Sequence, residues 1–382
     1  MKLSSGNNGM PSFLYRTKIM SFKIPDAFRL LCILTFMATP YAHALEQGKV
    51  EIHGFLTAGL SFSDADEVYL DDTSKDISFE EDTVFGLQFG TAISDDIKVE
   101  TQILAGGVNA NSGTAARVDW AFVTYEAMTN LSVRAGRIRF PLFMTSEYVE
   151  VGYSYPWIRP PQEVYESAPV NSVNGVDIIY TLDLGLMDLV IHPYLGSFKD
   201  QFTLGSATID IRLENMFGYE LALKSDQFTI RSGMMYTDLE FGLWNGFSLG
   251  FPEDFGARLK TLGLRYEGDL FFGYVESLSM EYSRDTFFMT DNKSSYATLG
   301  IRHNDLSIYI TDATKSSDVV FSPTAEAQDS IALGMRYETS DRSAIKMEWK
   351  QIETKDGTPG LFAPPGPTDK VNVYSFAFDV AF

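Results

Sequence analysis

Sixteen stretches of this chain place apolar and polar residues on alternate positions, and the gaps joining them alternate as well, short and then long, from one end to the other. The stretches are 49–62, 77–93, 97–105, 117–127, 131–138, 173–182, 186–196, 214–223, 228–238, 257–266, 270–284, 294–302, 306–313, 330–339, 343–353 and 370–382. Successive strand residues face opposite sides of a sheet, so a period of two marks strands with one apolar face. Seven gaps are tight: 94–96, 128–130, 183–185, 225–227, 267–269, 303–305 and 340–342, and they carry the Asp, Asn, Gly and Ser of hairpin turns. The other eight, from 63–76 to 354–369, are longer. An even number of strands with short turns at one end and long loops at the other predicts an all-β fold, a transmembrane antiparallel β-barrel of about 16 strands. A soluble sandwich has no reason to keep that alternation.

The faces can be assigned. Val50, Ile52, Leu56, Leu60 and Phe62 share one side of the first stretch, Ile77, Phe79, Phe85, Leu87 and Phe89 one side of the second, and Ile331, Leu333, Met335 and Tyr337 one side of the fourteenth. These are the lipid-facing sets, which puts Lys49, Glu51, His53, Gln88, Arg336 and Glu338 in the lumen. A barrel of this size has a lumen wide enough for water. Aromatic residues make up 14% of the chain, and mean hydropathy is near neutral, as half-apolar strands require. The last stretch is the clearest: Tyr374, Phe376, Phe378, Val380 and Phe382 alternate with Ser375, Ala377, Asp379 and Ala381. It resembles the final strand of Gram-negative outer-membrane β-barrels, whose alternating aromatics and terminal Phe are read by the barrel-insertion machinery. That resemblance implies an assembly signal at these five positions and contact with outer-membrane lipids.

At the other end, Lys23 and Arg29 precede the apolar run 30–37, and Ala42-His43-Ala44 offers small residues for cleavage before Leu45. Residues 1–44 therefore read as a secretory signal peptide, with Met20 an alternative start, and 45–382 as one barrel domain. The apolar run is far shorter than the ~20 residues a spanning helix needs. Cys32, the one cysteine, leaves with the leader, so the mature chain has neither disulfides nor thiol chemistry. Cleavage leaves 25 of the 30 basic residues against 50 of the 51 acidic ones, a balance that excludes nucleic acid as a partner.

The third long connection, 140–172, is also the longest. Its five prolines and many aromatics predict an ordered segment with a small core of its own. With Gly136-Arg137 before it and Asn174-Gly175-Val176 after it, this region resembles the porins, in which an inward-folded third extracellular loop narrows the barrel. The resemblance spans residues 45–382 in architecture and is diffuse in sequence. It implies a channel for passive diffusion of small hydrophilic solutes and ions, assembled as a homotrimer through outer apolar wall. It also implies an acidic loop facing a basic wall: Glu147, Glu150, Glu163 and Glu166 against Arg117, Arg134, Arg137 and Arg139, with a transverse field focused between them. Arg134 has lumen parity, because Leu131, Val133 and Ala135 claim the outer face. Arg137 and Arg139 have the opposite parity, so either Gly136 carries a bulge that flips the strand or both lie at the rim. The acidic excess predicts a weak preference for cations.

Two other readings stand beside this one. Tyr153, Tyr155, Trp157 and Tyr165, with Arg159, could form a stacking surface for sugar rings, as in sugar-selective porins. A barrel serving surface interaction or adhesion is the other. Enzymatic function is not expected: His53, His192 and His303 have no hydrolase motif around them, and neither Gly-x-Ser-x-Gly nor His-Glu-x-x-His occurs. No cofactor or metal site is expected either.

Overall fold

A computed structural model describes residues 47–70, 73–80, 82–106, 116–139, 141–168, 172–204, 207–242, 255–284, 290–317 and 326–382. The expected leader and its cleavage pattern lie outside the described residues. Among those described, the chain forms sixteen strands: β1 (Val50–Ser63), β2 (Val84–Ser94), β3 (Ile97–Gly106), β4 (Arg117–Met128), β5 (Leu131–Arg139), β6 (Ser172–Asp183), β7 (Asp188–Leu204), β8 (Ala207–Lys224), β9 (Phe228–Phe241), β10 (Gly256–Glu267), β11 (Phe271–Tyr282), β12 (Asn292–His303), β13 (Leu306–Ser317), β14 (Gln328–Ser340), β15 (Ser343–Thr354) and β16 (Val371–Ala381). Each pairs antiparallel with its sequence neighbours, and β1 pairs with β16, which closes the barrel and removes every open edge.

Parity follows the side chains throughout. The outer face exposes Val50, Ile52, Leu262, Leu264, Leu299, Ile308, Leu333 and Phe376, while the inner face buries Thr57, Gln102, Asp177, His192, Glu220, Thr298 and Lys346. Such an inverted partition, apolar outside and polar within, suits a wall between lipid and water. The largest buried apolar cluster joins Leu142, Phe143, Tyr155, Trp157 and Val164 of the β5–β6 connection to the inner face of β9–β13, including Tyr274, Leu278, Tyr296 and Tyr309.

The largest departures from the sequence reading fall at two places. The second strand starts at Val84 rather than at residue 77, so Ile77 and Phe79 belong to the β1–β2 connection, where they remain exposed. Here the Thr83 hydroxyl takes the place of ladder bonds, accepting the Gly59 N–H and donating to its carbonyl at 3.3 Å each, and the Asp82 carboxylate is drawn away to Arg159. The expected long connection between β7 and β8 is instead an extension of both strands, paired from Phe198↔Leu213 to Leu204↔Ala207. Bulges between Gly196 and Phe198 and between Glu214 and Phe217 shift the register there and hid the continuing pattern.

The seam holds the terminal residue. The Phe382 N–H donates to the Gly54 carbonyl and the Gly54 N–H to the Phe382 carbonyl, both at 2.8 Å. Deleting Phe382 removes both bonds and the aromatic ring that follows β16, so abundance of the barrel in the membrane fraction is expected to fall severalfold. Immunoblotting of fractionated membranes checks this; unchanged abundance would count against the terminal-strand reading.

Candidate functional site

The β5–β6 connection, residues 141–168 as described, is built from two 3-10 turns (Ser146–Tyr148 and Gly152–Ser154) and one short helix, α1 (Gln162–Tyr165). Proline at 156, 160 and 161 prevents regular structure between them, and Pro161 sits at the N-cap of α1. What fixes the connection in place is its bonding to inward side chains of strands remote in sequence.

On one wall the partners are cations. Lys346 of β15 donates to the Gly152 carbonyl at 2.6 Å and the Trp157 carbonyl at 2.7 Å, while pairing with Asp379 of β16 at 2.9 Å. Arg336 of β14 donates to the Tyr153 and Tyr155 carbonyls at 2.6 and 3.0 Å. Lys350 of β15 meets Glu163 at 3.1 Å and also reaches Gln162 and Tyr69. Burial works against the Glu163 carboxylate, but Lys350 and the hydrogen bond from Gln328 outweigh it and hold its pKa below the usual range. Arg159 pairs with Asp82 and donates to Ser61 of β1 at 3.0 Å.

The other wall carries a relay of charges across six strands. Arg134 of β5 forks onto Asp177 of β6 at 2.6–3.1 Å, and Asp177 meets the His192 ring of β7 at 2.9 Å. His192 lies 3.6 Å from Glu220 of β8, which lies 3.4 Å from Arg231 of β9. Arg231 then donates to the Pro141 carbonyl at 2.6 Å and approaches Glu276 of β11 at 3.9 Å. Glu276 accepts the Met144 N–H at 2.7 Å and the Tyr165 hydroxyl at 3.1 Å. Buried charges persist when paired and hydrogen-bonded; every charge in this relay is paired, although the Nε of Arg231 lacks a hydrogen bond among the described residues.

The predicted site residues divide accordingly. Glu147 is the exposed acid, with 55% of its side chain accessible, and lies 3.8 Å from Arg134. Glu166 closes α1, its N–H donating to Gln162, and is half-buried. Glu163 is taken up by Lys350. Arg117 donates to the Gly106 carbonyl at 3.0 Å. Arg137 and Arg139 do not face lipid, yet Gly136 carries no bulge, since the β5–β6 ladder runs unbroken from Leu131 to Arg139. Two features reconcile this. Gly136 adopts φ = +139°, a twist that an L side chain would resist, and the bulge lies on β4, where Asp119 is the extra residue between Val118 and Trp120. Arg137 donates to the Asp119 carbonyl and the Ser172 hydroxyl at 2.9 and 3.0 Å, and Arg139 pairs with the Asp119 carboxylate.

Glu150 stands 3.8 Å from Arg139, 5% exposed, with its Oε1 lacking a hydrogen bond among the described residues. Burial pushes its pKa up to about 7 and Asp119 adds to the rise, against the pull of Arg139 and Arg117. A carboxyl raised in the folded state favours folding at low pH, and that contribution fades as pH climbs from the unfolded value near 4.5 to about 7. Glu150→Gln is therefore expected to flatten this decline and leave the variant the more stable one at pH 8, by on the order of 3–4 kcal/mol at ~1.4 per unit. Urea midpoints at pH 5 and pH 8 check it.

Of the aromatic residues, Trp157 is 1% exposed, with its indole N–H between the Thr298 and Thr311 hydroxyls at 3.1 Å and its ring against Tyr155, Tyr274 and Tyr296. Tyr155 is buried, Tyr165 packs on Phe143 and Tyr296, and half-buried Tyr153 lies under the Arg336 guanidinium. Sequence reasoning missed Asp177, His192, Glu220, Arg231, Glu276, Lys346 and Lys350; their shared inward parity was the available signal.

The sequence matches no family model and no curated protein. Solved structures do match over nearly the whole barrel. The outer-membrane channel DcaP of Acinetobacter baumannii aligns over 89% of this chain and 100% of its own, with a TM-score of 0.58 at 13% identity. OmpF of Salmonella typhi gives 86% and 97%, 0.57 and 12%. The anion-selective porin of Comamonas acidovorans gives 87% and 99%, 0.56 and 14%. By these likenesses the closed sixteen-stranded β-barrel of this chain has the fold of the Gram-negative outer-membrane porins.

Proposed function

We propose that the chain is an outer-membrane porin: a water-filled channel for passive diffusion of small hydrophilic solutes and ions, weakly preferring cations, with its tight turns in the periplasm. The observation that supports this reading is the bonding of residues 141–168 to inward side chains of β9, β11, β14 and β15, and we take that connection as the constriction of a barrel otherwise wide enough for water. A barrel serving only adhesion has no need to anchor a loop there. The sugar-selective reading is less favoured, because the rings of Tyr155 and Trp157 are covered by protein. Assembly as a homotrimer, delivery by the barrel-insertion machinery and the absence of enzymatic activity belong to the same proposal.

Selectivity follows from which charges remain accessible. Glu163 is paired and Glu150 is half-protonated near neutrality, so Glu147 is the acid on this connection best placed to act on a passing ion. Planar-bilayer recordings test the proposal: ohmic single channels are expected, with a reversal potential in a salt gradient displaced modestly toward cations. Glu147→Gln should move it toward anions and Arg134→Gln toward cations, and both shifts should shrink at high salt, where screening acts over less than ~10 Å. Absence of conductance would overturn the porin reading. Unmoved reversal potentials would overturn the site.

A further inference from the structure

We propose that the open part of the lumen lies against the inner wall of β3–β5 and that Glu100, on β3, sets the preference of that passage for cations. The inference rests on the porin reading and adds to it the path of the ions and a wall residue that governs them.

The inner face is not covered equally around the barrel. On β9–β16, lumen-facing residues such as Arg231, Glu276, Thr311, Ala332, Lys346 and Asp379 are buried. The 141–168 connection lies over that side, through its bonds to β9, β11, β14 and β15 and through Trp157 between the threonines of β12 and β13. On β3–β5, lumen-facing Lys98, Glu100, Trp120, Phe122, Arg134 and Gly136 all keep part of their surface accessible. Depth does not explain the contrast. Asp379 stands near the tight-turn end of β16 and is 1% exposed, whereas Phe122 lies further from that end of β4 and is still reached by water. Val151 packs on Phe55, Val84 and Leu104, so the connection meets β1–β3 at the level of Leu104, above Glu100.

Glu100 shares the face of Leu104, which packs under the connection, while Ile103 is exposed on the outside. The β2–β3 ladder is unbroken between them, so the parity holds. Register places Glu100 between Gly90 of β2, which has no side chain, and Phe122 of β4, which has no polar atom in its own. Glu100 therefore has no hydrogen bond or ion pair among the described residues, although its field reaches Arg134. An unpaired carboxylate on a wall stays ionised only where water solvates it, which agrees with an open passage there. The other charges of this face are committed. Lys98 pairs with Glu126 at 3.2 Å, Arg134 with Asp177 at 2.6 Å, and Arg139 with Asp119. Arg117 and Arg137 donate to the carbonyls of Gly106 and Asp119. With Glu147 and Glu150 of the connection added, the two signs come close to balance on this side. A single carboxylate then decides the sign of the field, and Glu100 is the one in the wall without a bonded cation.

Residues 45–382 contain no cysteine, so single cysteines can report on each wall. Glu100→Cys and, on the packed inner face of β13, Ala313→Cys are treated in the folded barrel with a cationic and with an anionic methanethiosulfonate. Mass spectrometry reads the rate of modification, and planar-bilayer recording reads its effect on current. Ala332→Cys, buried on β14, serves in place of Ala313→Cys should that variant not fold. Glu100→Cys is expected to react at least tenfold faster than the buried position, with conductance falling as the group attaches. The anionic reagent should restore the wild-type ion preference and the cationic one reverse it. Glu100→Gln should lower the cation-to-anion permeability ratio about two- to fourfold at 0.1 M salt, as expected for a unit charge roughly 6 Å from the ion in water. Equal or faster modification of the buried cysteine overturns the path. An unchanged permeability ratio in Glu100→Gln overturns the role of the residue. Failure of the porin reading is distinct from both, because it shows as absence of current in the wild type, whatever the rate of modification.

Discussion

Lys346→Met is expected to destabilise the barrel by about 3–5 kcal/mol and to raise its single-channel conductance. The lysine is fully buried, and its ammonium holds three partners at once: Asp379 and the carbonyls of Gly152 and Trp157. Removing one member of a buried pair leaves the other charge uncompensated, here Asp379 with, among the described residues, the Thr57 hydroxyl at 2.6 Å, which is the origin of the expected cost. The two freed carbonyls lie near the middle of the 141–168 connection, so that segment loses its hold on β15 and the passage beside it widens. The double variant Lys346→Met, Asp379→Asn separates the effects. It should regain much of the stability, because no buried charge is stranded, but keep the raised conductance. Urea unfolding of the micelle-folded protein and bilayer recording measure the two quantities. Wild-type conductance in both variants would show that this anchor does not set the pore.

Trp157→Ala is expected to cost a similar ~3–5 kcal/mol, for a different reason. The indole fills the space between the connection and β11–β13, and it satisfies the Thr298 and Thr311 hydroxyls facing it. Truncation leaves a cavity bordered by Tyr155, Tyr274 and Tyr296 and removes a donor that both threonines use. Trp157→Phe should recover most of the packing but not the hydrogen bonds, and so fall between. The same experiment bears on the sugar reading. If Trp157 bound sugars, the alanine variant would lose sugar block of the current at unchanged stability, whereas a packing role predicts the reverse.

Much of the molecule was legible because a barrel wall is a local object. Strand number, pairing order and the face of each residue follow from a period of two and from the lengths of the gaps, and they survive errors at the ends such as the start of β2. Arg134 was placed in the lumen by parity alone, and Tyr374, Phe376 and Phe378 were placed on the outer face in the same way; both placements hold. Where parity misled, at Arg137 and Arg139, the cause was a bulge on the neighbouring strand and a glycine twist, neither of which alters the alternation of the strand being read.

The site depended on pairings that no local pattern encodes. Glu163 meets Lys350 from 187 residues away and Trp157 meets Thr311 across 154, so their sequence neighbourhoods say nothing of one another. Burial then decides their chemistry. The sequence counted four equivalent glutamates on the third connection, but the fold pairs Glu163, strands Glu150 near neutrality and leaves Glu147 exposed. Sequence alone determined the wall, because alternation between lipid and water must be written residue by residue along each strand. Only the tertiary structure decided which charges face the passage, because that depends on which side chains closure of the barrel brings within ~4 Å and how much water it leaves them.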